Sequence, residues 1–490
     1  MNTVIVADST ALGIMETRPE PAWRVKLQSM RNKDLLAPDY GSMHVAAGLR
    51  ARGHEFSVVN PVAGVHRDAS AFIEPETDPE AVSRSEIGKK QAAIESRACL
   101  FGELERRDPR VILFPLSIYN LALYTRGLLG EIRKAFPGTV IVTGGIYATL
   151  HADELLEEGN ADVVVRGEGE LTTALVLDAV SSGSTLDDIA GISFTRNGNR
   201  VHNPPAATIE DLDSWPHLYS VSEEFLVKQR HDLLLELNPF EDYIPGSGFL
   251  TSRGCPEACS FCLDPAINRR RTRFHSPEYV RQVLAYCSEN FPGGPGSFFF
   301  GDATFTMKRS RLYRILDMVS DFNYSYQIQT RADHLDQEIV DRLAGSGFTT
   351  VAIGAESFNS EVLRGVTAKG LDVEDVLNAA LAVKQAGMHP ALTFIAGLPG
   401  ESRESIWRTV DILVENKLLT STFFPLVVFR GTALFNTFAQ MVAPAQRDAL
   451  RLNQFSEEYL FVGDEFATRE ELTGFTSEVN RAIMDARLAG

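Results

Sequence analysis

Cys255-Pro256-Glu257-Ala258-Cys259-Ser260-Phe261-Cys262 decides how the rest of the chain is read. Its spacing is C-x3-C-x2-C, and it follows an apolar run, Gly248–Ser252. The chain holds five cysteines, and this segment takes three of them. Three thiolates on one short loop suit three irons of a cubane cluster, which leaves the fourth iron open to a small molecule. Structural zinc, with His275 as the fourth ligand, is the alternative on local spacing. Cys99 and Cys287 each fall within a helical pattern and read as core thiols. An odd, sparse set of cysteines is not a disulfide framework, and a reducing cytoplasm is the expected compartment.

From this loop onward, strand and helix signals alternate. Strands are expected over Gly248–Ser252, Ser297–Gly301, Tyr326–Thr330, Val351–Gly354, Ala391–Ala396 and Phe423–Phe429. Helices fit between them at Pro277–Ser288, Ser310–Phe322, Gln337–Ala344, Val373–Ala386 and Ser402–Glu415. Six such units over residues 248–435 suit a partial (β/α)6 barrel of the triose-isomerase type, with functional groups at the strand C-termini. Residues 436–490 read as a C-terminal helical segment.

Toward the N-terminus the pattern is again α/β. Thr3–Ala7, Phe56–Val59, Val111–Phe114, Val140–Val142 and Asp162–Val165 are short β-branched runs without alternation. Runs of that kind belong to a parallel sheet buried on both faces. Residues 1–180 are therefore expected to form an open, doubly wound, Rossmann-like domain. Residues 181–247, rich in turn signals such as Asn203-Pro204-Pro205, read as a connector.

Composition agrees with a large globular chain. At 490 residues it exceeds what one core supports, so two domains are expected. It is 44% hydrophobic and 23% charged, with a net charge of −18. Such an acidic chain is a poor partner for nucleic acid or an anionic membrane. No apolar run is long enough to span a bilayer, and the N-terminal residues lack the basic start of a secretory leader.

CPEACSFC, with the aromatic Phe261 before its last cysteine, resembles the cluster loop of the radical S-adenosylmethionine (SAM) enzymes. The resemblance implies a 4Fe–4S cluster held by Cys255, Cys259 and Cys262, with SAM chelated at the open iron. Reduction by one electron then cleaves SAM to a 5′-deoxyadenosyl radical. Further matches follow the predicted strands: Asp302 in FGDATF, Arg331 in QTRAD, Glu356 in IGAES, and Gly397 and Gly400 in IAGLPGE. By the same resemblance Phe261, Asp302, Arg331, Glu356, Gly397 and Gly400 contact SAM. The charged groups would meet its polar parts, and the glycines would admit its adenine. Taken singly, an acidic residue there is as readily a helix cap, and a glycine a turn. Arg430 stands where relatives usually carry proline, and is a candidate for a substrate carboxylate or phosphate, with a surface salt bridge as the plainer account.

A doubly wound domain before such a barrel resembles the cobalamin-binding domain of cobalamin-dependent radical SAM enzymes. Asp8-Ser9-Thr10-Ala11-Leu12-Gly13 matches D-x-H-x-x-G with Thr10 in place of His. Ser117 follows the third strand, and Gly144-Gly145 the fourth. Thr149 and Glu168 lie in two further matching segments, GIYAT and RGEGE. The resemblance implies that Asp8, Thr10, Gly13, Ser117, Gly144, Gly145, Thr149 and Glu168 line a cobalamin site, with no histidine beneath cobalt. An insertion over Ile14–Tyr40 replaces the usual tight turn and is long enough to carry a function of its own. There is no G-x-G-x-x-G and no phosphate-loop motif, which argues against a dinucleotide or an NTP.

The family implies a methyltransferase that moves a methyl group from SAM, via methylcobalamin, to an unactivated carbon of a small-molecule substrate. An oxidative cyclase or ring-rearranging enzyme with the same cofactors is the second expectation. A cobalamin-binding sensor or carrier is the non-enzymatic one. An external electron donor of flavodoxin or ferredoxin type is the implied protein partner.

Overall fold

The computed structural model describes residues 1–7, 40–60, 94–116, 122–225, 245–290, 297–441, 465–466 and 469–489. The chain divides into two compact units, Met1–Glu241 and Asp242–Gly490.

The first unit is built on a seven-stranded sheet. Its strands are β1 (Thr3–Val6), β2 (Ser57–Val59), β3 (Val111–Pro115), β4 (Val140–Gly144), β5 (Val163–Val165), β6 (Ile192–Arg196) and β7 (Asn199–His202). They run in the order β2-β1-β3-β4-β5-β6-β7. The first five are parallel. Most of their valines and isoleucines are buried, Val58 and Val140 being half-buried, as unbroken apolar runs in a parallel sheet predict. The order 2-1-3-4-5 is the flavodoxin-like doubly wound one. Its switch point lies between β1 and β3, where ligands enter at the carboxyl ends of the strands.

Two expectations change here. Residues 181–247 are not only a connector, because β6 and β7 form an antiparallel hairpin that extends the sheet beyond β5. Asn197-Gly198, both with positive φ, make the hairpin's turn, and Asn203-Pro204-Pro205 follows the end of β7. Cys99 sits in a helix over residues 94–107 but is exposed, so it is no core thiol. Cys287 is buried as expected.

The second unit carries six parallel strands, β8 (Pro245–Phe249), β11 (Ser297–Phe300), β12 (Ser325–Thr330), β13 (Phe348–Glu356), β14 (His389–Ala396) and β15 (Thr422–Pro425). Neighbours in sequence are neighbours in the sheet. A helix follows each of the strands β11 to β14, giving the partial barrel. Two short strands, β9 (Ser252–Arg253) and β10 (Arg273–Phe274), form a separate ribbon between β8 and the helix Pro277–Asn290. The core against this parallel sheet is aromatic: Phe300 stacks on Phe305 at 4.9 Å and on Tyr326 at 5.6 Å, all three buried, and the Tyr326 hydroxyl donates to the Val319 carbonyl of a covering helix at 2.8 Å. Each such ring contributes ~2–3 kcal/mol through its burial.

The last strand ends at Pro425, short of the expected Phe429. Its open edge is covered by the C-terminal helix Arg469–Ala489. The Asn480 side chain accepts from the Phe423 N–H at 2.8 Å and donates to the Phe423 carbonyl at 2.9 Å. A side-chain amide thus satisfies backbone groups that an edge strand would otherwise expose. Among the described residues no helix is long and apolar enough to cross a membrane.

Candidate active site

The cysteine loop, residues 254–272, is closed by the β9–β10 ribbon in the register Arg253↔Arg273. Gly254 opens it with φ 91°, and a Cβ there would come within 2.0 Å of the Arg271 carbonyl oxygen. Only glycine permits that closure. The Cys255 N–H donates to Asp264 Oδ1 at 2.7 Å. Further along, the Ser260 N–H donates to the Thr367 carbonyl at 2.9 Å, and the Leu434 N–H donates to the Ser260 carbonyl at 2.8 Å. The Phe261 ring packs on an apolar cluster of Val362, Leu398, Leu426 and Leu434. Backbone and ring therefore fix the loop, and the three thiols are left for ligation.

Burial pushes all three thiols up, Cys262 to about 11. Alone they stay protonated at neutral pH. Positive iron is the group that would offset this, since a coordinated thiol is deprotonated outright. Among the described residues no three His, Cys, Asp or Glu side chains converge on a single ion. His275 is buried and stacked on Tyr279 at 4.0 Å, a core histidine. Three thiols on one loop fit a cubane, whose ligands bind separate irons.

The strand ends place the other expected residues. Asp302, after β11, is fully buried and offers no surface to a ligand. It accepts from the Thr251 N–H at 3.2 Å, from the Thr251 hydroxyl at 3.0 Å and from the Ser252 hydroxyl. Burial raises its carboxyl, opposed by Ser252, Arg311 and Thr251. Asp302 anchors the chain where it turns from β8 into the cysteine loop. Its carboxylate is consumed by local donors, so it has none to spare.

Arg331, after β12, places Nη1 3.7 Å from Cys259 Sγ, while Nη2 donates to the Lys369 carbonyl at 2.8 Å. A bidentate pair with Asp333, both contacts 2.9 Å, holds its plane. Glu356 ends β13 in a left-handed conformation, φ 63°, uncommon for a residue with a side chain. Its Oε1 meets Lys369 Nζ at 2.6 Å, and the same ammonium donates to the Gly354 carbonyl at 2.6 Å. Both partners are buried. Lys369 and Arg331 thus set two cations near Cys259, which work against the effect of burial there.

Gly397 has φ 90°, but the space above its Cα is filled by Leu472, 3.0 Å from a notional Cβ. Its freedom serves the packing of the C-terminal helix. Gly400 has φ 81° and only ordinary contact with Val362 at 3.6 Å. Next to it, Glu401 is 7% exposed, accepts from the Ser357 hydroxyl at 2.5 Å, and has no partner for Oε2 among the described residues. Burial pushes its carboxyl up to about 8. Arg430 is half-buried in the turn after β15.

Lys369, Asp264 and Glu401 were not singled out from sequence. Asp264-Pro265 does carry a helix-start signal that points to Asp264. Lys369 carries none, because the partners of its ammonium, Gly354 and Glu356, lie on a strand that ends well before it in sequence.

In the first unit, Asp8, Thr10, Gly13 and Ser117 lie outside the described residues, as does the insertion over residues 14–39. Gly144 and Gly145 end β4. Gly145 has φ 103°, and a Cβ there would sit 2.5 Å from the Leu116 carbonyl oxygen, so packing of the adjacent strand end already demands glycine. The Thr149 hydroxyl donates to the Gly145 carbonyl at 2.8 Å and accepts from the Gly167 N–H at 3.0 Å, joining the loops after β4 and β5. Glu168 Oε2 accepts from the Ile209 N–H at 2.8 Å. These four residues share the carboxyl edge of the parallel strands, where this fold binds ligands.

A model of the Radical SAM superfamily matches residues 249–413. An uncharacterised methyltransferase of Pyrococcus horikoshii is 28% identical over 336 residues, 68% of this chain and 70% of that protein. The anaerobic magnesium-protoporphyrin IX monomethyl ester cyclase of Synechocystis is 25% identical over 336 residues, 67% of this chain but only 58% of its own length. Among solved structures, the methyltransferase TsrM of Kitasatospora setae, with cobalamin and a 4Fe–4S cluster bound, has the same fold. Its TM-score is 0.68 at 16% identity, covering 98% of this chain and 88% of that one.

Proposed function

We infer that this chain, which belongs to the cobalamin-dependent radical SAM enzymes, moves a methyl group from SAM by way of cobalamin to an unactivated carbon of a small molecule. One observation carries the reading: a three-thiol loop at the head of a six-stranded parallel barrel, in one chain with a flavodoxin-order sheet. When bound, the cluster and SAM supply a 5′-deoxyadenosyl radical, and cobalamin supplies the transferable methyl group.

The chain's own groups would bind and orient these cofactors. Cys255, Cys259 and Cys262 hold the iron. Arg331 and Lys369 favour the charged form of Cys259. Glu356, fixed at the end of β13 by Lys369, offers a carboxylate to SAM hydroxyls, and Gly400 gives backbone access beside it. Phe261 seals the loop against the apolar cluster. Asp8, Gly13, Ser117, Gly144, Gly145, Thr149 and Glu168 are proposed for the cobalamin edge, with Thr10 supplying no nitrogen to cobalt. Arg430 is proposed for an anionic group of the substrate, and an external one-electron donor completes the system.

The cyclase relative keeps a second reading open, in which the same cofactors act without methyl transfer. The two differ in what SAM becomes. A methyltransferase converts one SAM to S-adenosylhomocysteine and cleaves a second to methionine and 5′-deoxyadenosine. Cluster- and cobalamin-loaded protein given methyl-labelled SAM and dithionite is expected to form both nucleosides. 5′-Deoxyadenosine alone would overturn methyl transfer, and neither product from a verified loaded protein would overturn the enzyme reading.

A further inference from the structure

In a chain of net charge −18, the run Arg269-Arg270-Arg271-Thr272-Arg273 stands out. It begins seven residues past Cys262 (269 − 262). The structure ties it to the cluster loop. The register Arg253↔Arg273 encloses cysteines and arginines in one loop. Arg270 Nε donates to the Pro256 carbonyl at 3.0 Å, the peptide next to Cys255. The Arg271 carbonyl abuts Gly254. Arg269, Arg270 and Arg271 are exposed, whereas Arg273 is buried. Arg269 and Arg270 both hold left-handed backbone, φ 52° and 57°, a conformation uncommon for residues with side chains. Exposed Lys308, with Nζ 5.7 Å from the Phe274 ring centroid, adds a cation beside the ribbon.

A solvated arginine run needs neither strained backbone nor a bond to the cysteine loop. Three exposed arginines in succession on an otherwise acidic protein make a local positive field, which steers an anionic protein to that point. Resting on the reading of the cysteine loop as a redox centre, we propose that Arg269, Arg270 and Arg271 are the docking surface for an acidic one-electron carrier protein of flavodoxin type. One electron leaves the carrier and enters the cluster, with no bond made or broken. The Arg270–Pro256 hydrogen bond joins the docking surface directly to the peptide beside Cys255.

The test uses the full chain with its cluster loaded, and stopped-flow loss of cluster absorbance as the readout. Two reductants are compared, a reduced acidic bacterial flavodoxin and dithionite. In the variant Arg269→Glu/Arg271→Glu, the second-order rate with flavodoxin is expected to fall at least about 10-fold at low salt. The gap should close as salt screens it, while the dithionite rate stays within about 3-fold of the parent. Equal loss with both reductants, or no loss with flavodoxin, overturns the proposal. If charge reversal prevents cluster loading, Arg269→Gln/Arg271→Gln carries the same comparison with about a 3-fold expected loss. The functional reading fails separately, if cluster reduction proceeds normally and no 5′-deoxyadenosine forms.

Discussion

Replacing Glu401 with glutamine removes a buried acid while keeping its shape and its acceptor for the Ser357 hydroxyl. The carboxyl titrates at 4.5 when solvated and at about 8 in the fold, because burial penalises its charge. Below pH ~4.5 both folded and unfolded chains are protonated, and the group is neutral to stability. Between the two values the unfolded chain releases its proton while the folded chain keeps it, so stability falls as pH rises. Above pH ~8 the loss levels off. At about 1.36 kcal/mol per pH unit, a gap of ~3.5 units makes the full loss ~5 kcal/mol, with ~3 kcal/mol already lost at pH 7. Glutamine carries no such loss. Urea denaturation of the parent and Glu401→Gln at pH 5, 6, 7 and 8 reads the difference, and other titrating groups cancel. The variant is expected to match the parent at pH 5 and to exceed it by a few kcal/mol at pH 8. Parallel pH profiles, or a parent that gains on the variant as pH rises, would refute the reasoning.

Gly254→Ala drives a Cβ to 2.0 Å from a backbone carbonyl that cannot swing aside, so the loop must open. It should cost more than ~3 kcal/mol and lower iron content, whereas Gly387→Ala, with a similar φ of 83° and nothing within 4 Å, should cost only ~1–2 kcal/mol and retain the cluster. Equal effects of the two would show that clash is not what matters at residue 254. Asp302→Ala leaves the Thr251 N–H and two hydroxyls without their acceptor in a fully buried setting, for a loss of ~2–5 kcal/mol by denaturation. If instead stability holds and only SAM affinity drops, Asp302 is a ligand contact after all.

Local chemistry and periodicity carry most of the fold. The thiol spacing needs only eight consecutive residues, and unbroken β-branched runs announce parallel strands wherever helices cover both faces. The order of those runs, each followed by a helix, leaves few topologies open. The sequence alone therefore determined two α/β units, the three-thiol loop and the strand ends that frame it.

Tertiary structure decided what the side chains at those ends do. Asp302 and Glu356 read alike in sequence, an acidic residue after a strand. Yet one is spent on Thr251 and Ser252, while the other is paired with Lys369 from a later segment. At Gly397 a Cβ would meet Leu472, and at Gly145 the Leu116 carbonyl, contacts with distant segments that no local stretch announces. The hairpin β6–β7 was hidden in apparent linker because its turn residues signal a reversal without saying which sheet receives it. Glu401 gains its chemistry from burial, and Lys369 its role from pairing with Glu356, both properties of the folded chain rather than of any local stretch of it. Spacing along a chain specifies which groups are close in sequence. Which donor reaches a given acceptor first depends on contacts between distant segments, and these exist only once the chain has folded.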